Sequence, residues 1–83
     1  MREDVLKNIE NLLSKITEIP QSLSEDTVLY GMAENKVEAC SLELASWLAE
    51  IESEYDFEIP MDALTVADII DRVVEKMGEK NEF

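Results

Sequence analysis

Three stretches of this chain repeat apolar residues at helical spacing, and polar, turn-forming stretches separate them. In the first, Val5, Ile9, Leu12, Leu13 and Ile16 fall three or four positions apart, which gathers their side chains on one face of an α-helix. Glu3 and Asp4 lie at its start, where the helix dipole is positive. Pro20 biases Ile19 away from helical geometry, so the spacing predicts a helix from about Arg2 to Thr17 that stops at or just before Glu18.

Gln21 to Met32 reads as a packed connection. Ser22, Ser24, Asp26 and Gly31 are turn formers, and Leu23, Val28 and Leu29 are candidate anchors to the core. The second stripe is the longest: Val37, Cys40, Leu44, Leu48, Ile51 and Tyr55, widened by Ala45 and Trp47. Two starts are open to it. Asn35 with Glu38 resembles a capping box, whereas Ser41 is an acceptable N-cap with Glu43 in the following turn. Pro60 interrupts the connection from Tyr55 to Leu64, leaving Met61 to Leu64 room for one short helical turn. The third helix opens on a Thr65/Asp68 capping box and carries Val66, Ile69, Ile70, Val73, Val74 and Met77 on one face. Gly78 suits its stop, and the tail from Glu79 to Phe83 is expected to fray. No convincing alternating run demands a strand. The expectation is a single all-α domain over residues 1–83, a small bundle of three principal helices.

Composition supports one folded domain, since 46% of the 83 residues are apolar. Twenty acidic against seven basic residues give a net charge of −13. Such a surface repels phosphate backbones and anionic membranes, so nucleic acid is not an expected partner; basic protein patches are. Self-repulsion favours a monomer. No apolar run is long enough for a membrane span, and the charged N-terminal stretch lacks the apolar core of a signal peptide. With one cysteine there is no internal disulfide, and a cytoplasmic location is expected.

Chemistry by the chain's own side chains finds little support. Cys40 reads as a small buried apolar residue, because no histidine exists to activate it. The pattern of an EF-hand loop is missing, so no metal is expected. Trp47 and Tyr55 read as core or core-edge aromatics, and Met61 and Met77 as packing residues.

The segment from Cys40 to Pro60 resembles the acyl carrier protein family. Ser41-Leu42, a helix through Glu54, then Tyr55, Glu58-Ile59-Pro60 and Thr65-Val66 with Asp68 follow in that family's order. The spacing from Ser41 to Tyr55 and Pro60 is gapless. The resemblance implies a carrier with an acyl-carrier-like fold and no enzymatic activity, serving fatty acid biosynthesis or related lipid metabolism. Ser41 would take a 4'-phosphopantetheine arm from coenzyme A, installed by a separate carrier-protein phosphopantetheinyl transferase, and acyl groups would ride on the arm as thioesters. Leu42, Glu43, Glu50, Glu52 and Glu54 would dock acyl-processing enzymes through basic patches. An internal cavity between the helices is a further feature the resemblance leaves open.

Cys40 stands where the family has Asp, and Gly31 lies ten residues before Ser41, not beside it. A second alignment therefore sets Gly31-Met32-Ala33-Glu34 at the family's modified position and lengthens the helix by about two turns. On that alternative the chain is an unmodified acidic helical adaptor for a basic partner protein, with its second helix unbroken from near Asn35.

Overall fold

The computed structural model describes residues 1–80, with side chains as far as Gly78. Its elements in chain order are three α-helices: α1 (Arg2–Thr17), α2 (Ser41–Tyr55) and α3 (Val66–Lys80). α1 packs against both other helices, and α2 and α3 also touch. The core is built from the three apolar stripes, with Leu23, Leu29, Val37 and Ala63 added from the connections. Val5, Ile9 and Leu13 come from α1; Leu44, Trp47 and Ile51 from α2; Val66, Ile69, Ile70 and Val73 from α3. At roughly 1.5–3 kcal/mol for each fully buried large apolar side chain, these contacts are the main favourable term in folding. The radius of gyration, 12.3 Å, is close to the ~12 Å expected for a compact chain of this length.

α1 ends where Pro20 predicts. Glu18 caps it in the left-handed region at φ 60°. Two polar contacts fasten α2 to α1. The Trp47 indole N–H donates to the Ile9 carbonyl at 2.8 Å, inside the core, and Asn8 Nδ2 donates to the Tyr55 hydroxyl at 2.7 Å. The first satisfies the one polar atom of an otherwise apolar ring, which is what allows Trp47 to be completely buried.

The long connection between α1 and α2 is ordered by hydrogen bonds to α1 and to the start of α3. Glu10 accepts from the Leu23 N–H at 2.8 Å, and Ser14 Oγ accepts from the Gln21 N–H at 3.0 Å. Val28 then pairs on two sides. Its N–H donates to the Asn35 carbonyl and its carbonyl accepts from the Val37 N–H, while Leu29 N–H donates to the Leu64 carbonyl. These contacts form two isolated β-bridges, Val28 with Lys36 and Val28 with Thr65, and the named elements are all helical. Leu23 and Leu29 are buried, as expected of anchors; so is Thr27, whose hydroxyl accepts from the Ser24 N–H at 2.9 Å.

Several expectations need correction. α2 does not start near Asn35, because the Asn35 carbonyl and the Val37 N–H are committed to the pairing with Val28 and residues 35–37 are not helical. The longer helix of the second alignment is therefore not formed. Val37 is buried from the loop, not from a helical stripe, and Cys40, expected inside, is exposed. Ala45 faces solvent instead of widening the apolar stripe, and Met61, expected to pack, is fully exposed. α3 continues through Gly78 to Lys80. Of the tail expected to fray, residues 79 and 80 extend α3, and residues 81–83 lie outside the described residues.

Arg2 joins the first helix to the other side of the bundle. Its guanidinium forms an ion pair with Glu25 in the loop and another, at 2.6 Å, with Asp71 on α3. The hydrogen bonds from Arg2 hold the Glu25 carboxyl below the usual carboxylate range. All three side chains are partly exposed, so solvent screening keeps their contribution to stability small.

Candidate functional site

The site of interest is the start of α2. Cys40 is the N-cap, with extended backbone at φ −76° and ψ 171°. Its N–H donates to Glu43 Oε1 at 2.9 Å, the firm half of a capping box. The other half falls to the Cys40 sulfur, a weak acceptor in the place of a hydroxyl or carboxylate oxygen. Helix propagation begins at Ser41, and the Leu44 N–H closes the first turn on the Cys40 carbonyl at 2.8 Å.

Ser41 and Leu42 are the first two helical residues, and both are exposed. Leu42 is 81% exposed, unusual for a leucine within a helix, because it lies opposite Leu44, Trp47 and Ile51 on the α2 wheel. Among the described residues, the N–H groups of Ser41 and Leu42 make no backbone bond to another segment. This end of α2 therefore combines a primary hydroxyl, the positive end of a helix dipole and an uncovered apolar side chain.

The four glutamates of α2 are not equivalent. Glu43 folds back onto the N-cap, as above. Glu52 is half-buried and accepts from the Ile59 N–H at 2.8 Å, which fastens the connection after α2 to the helix. Glu50 and Glu54 are exposed. The helix carries no basic residue, so its solvent side presents negative charge unrelieved from within. The line Leu42, Ala45, Ser46, Ala49 and Ser53 between these acids is exposed and uncharged.

Asp68 shows what the matching position does at α3. Its carboxylate accepts from the Leu64 and Thr65 N–H groups at 2.8 and 3.1 Å, which hold it below the usual carboxylate range. That is capping, and it leaves the group committed to the fold. Among the described residues no cluster of acidic or sulfur side chains has a metal-binding arrangement, and no helix is long and apolar enough to cross a membrane. An open groove of about 520 Å³ lies between residues 20–24 and 34–38 and does not include Ser41.

Sequence reasoning missed the surface position of Cys40. The Cys40-x-x-Glu43 spacing is itself a capping-box signal with sulfur in the oxygen position, and it was available. Comparisons with protein-family models, with curated proteins and with solved structures give no match.

Proposed function

We propose that this protein is an acyl carrier, modified on Ser41 with a 4'-phosphopantetheine arm, that presents bound acyl groups to partner enzymes. The observation that carries the reading is the exposed hydroxyl of Ser41 on the first residue of α2, with exposed Leu42 beside it. The residues present fit such a group. A phosphodiester at this position would meet the positive end of the helix dipole, and the Glu43 carboxylate is held on the Cys40 N–H. When attached, the arm supplies a terminal thiol that holds acyl groups as thioesters.

The chain's own residues do the rest. Ser41 supplies the oxygen that bonds to phosphorus while the pyrophosphate link of coenzyme A breaks; its proton goes to a base on the transferase, and adenosine 3',5'-bisphosphate leaves. Nothing in this step requires a base from the carrier, which accords with a chain that has no histidine. Leu42 offers an apolar contact next to the attachment point. Glu50 and Glu54 give the docking face its charge, which steers basic partners toward it. Glu43 and Glu52 contribute to the same field while each is held by a backbone N–H.

The test is intact mass after incubation with coenzyme A and a phosphopantetheinyl transferase of broad specificity. The proposal expects a mass gain in the wild-type protein and none in Ser41→Ala. No gain, or a gain that survives Ser41→Ala, contradicts it.

A further inference from the structure

The interior faces of the bundle say where a cargo can go. Trp47 is the largest side chain in the core and is completely buried, on the inward side of the helix that begins with Ser41. It is also pinned, since its indole N–H donates to the Ile9 carbonyl of α1 at 2.8 Å. Leaving that position would break a buried hydrogen bond, so the ring is a poor candidate for yielding its space to a guest. On α3, Val66, Ile69, Ile70 and Val73 are likewise without exposure. Five open hollows lie along the surface of the described residues, and neither Trp47 nor these α3 side chains line any of the five.

We propose that Trp47 acts as a plug which keeps the acyl group outside the bundle, and that the cargo is accordingly short or polar, not a long alkyl chain. The inference rests on the carrier reading above. A long apolar chain left in water would expose its methylenes at a cost that grows with length. A carrier unable to shelter such chains suits acyl groups that need no shelter. Trp47 is a specificity-determining residue on this account: it touches neither the attachment serine nor the reacting thioester, and acts by occupying volume.

The experiment compares the protein loaded on Ser41 with an acetyl-bearing and a palmitoyl-bearing arm, each transferred from the matching acyl coenzyme A and verified by intact mass. The readouts are the urea midpoint and the fluorescence of Trp47, the one tryptophan in the chain. The proposal expects the same midpoint and emission maximum for both cargoes. A midpoint that rises with chain length, or a palmitoyl-dependent shift in Trp47 emission, overturns it while leaving the carrier reading intact. Failure to load either arm removes the carrier reading and this inference together. In Trp47→Leu and Trp47→Ala, whichever remains helical by circular dichroism, palmitoyl should raise the midpoint above that of the acetyl form. Equal midpoints in a folded variant would contradict the role of the ring. If neither variant folds, the wild-type comparison decides alone.

Discussion

Two helix starts in this molecule are built on the same four-residue capping pattern and differ in what they leave free. At α3, Thr65 and Asp68 form the box, and the loop takes up the next donors: the Val66 N–H bonds to the Thr27 carbonyl and the Ala67 N–H to the Glu25 carbonyl, both at 2.9 Å. At α2, Cys40 and Glu43 form the box with a sulfur in the weaker role, and Ser41 and Leu42 stand in solvent. The first start is consumed by the fold. The second holds its helix with the minimum and keeps a hydroxyl, a dipole end and an apolar side chain available. Two ends that look alike in sequence thus differ in how much of each the fold consumes.

That contrast can be broken most forcefully at α3. Asp68→Ala removes the acceptor of two backbone N–H groups and should cost about 1–2 kcal/mol in urea unfolding. Because the folded state holds this carboxyl below its ordinary range, its contribution is present at neutral pH and is lost as pH falls through and below the ordinary carboxylate range. The gap between wild type and variant should therefore close in acid. A gap independent of pH would mean that Asp68 acts by packing instead.

At α2 the change runs the other way. Cys40→Asp places a full oxygen acceptor at the N-cap and a negative charge at the dipole's positive end, and should stabilise by roughly 0.5–1 kcal/mol. A loss of stability would contradict an exposed, weakly capping Cys40. Gly78→Ala should raise stability by about 0.5–1 kcal/mol, because the residue lies within α3 and an added Cβ meets nothing within 4 Å. A helix ending at Gly78 in a left-handed conformation would give the opposite sign. Smallest of all, Ser41→Ala and Leu42→Ala should each shift stability by less than about 0.5 kcal/mol. A larger loss at either would return the α2 start to the fold.

The helices were legible because each has a single apolar face and clear ends: Pro20 after α1, the Thr65/Asp68 pair before α3. The start of α2 was not. Local pattern alone supported both Asn35 and Ser41, and the choice was made by Val28, which bonds to residues 35 and 37 and keeps them out of a helix. Pairing between residues this far apart leaves no local signal. Cys40 was misplaced for the same reason: read on a helix it falls on the buried stripe, whereas as a cap it lies outside. Gly78 misled differently. Glycine is common just past a helix end, yet here the face from Val66 to Met77 is packed firmly enough to carry the helix through it. Of the candidate site, the residue types and the outward position of Leu42 on the α2 wheel were readable, and the exposure of Cys40 was not.

The most direct measurement is the location of the modification. After reaction with coenzyme A and a transferase, peptide fragmentation by mass spectrometry should place the added group on the Ser41 oxygen and leave the neighbouring Cys40 thiol free to alkylate. An unmodified peptide, or the group found on any other residue, would contradict the account.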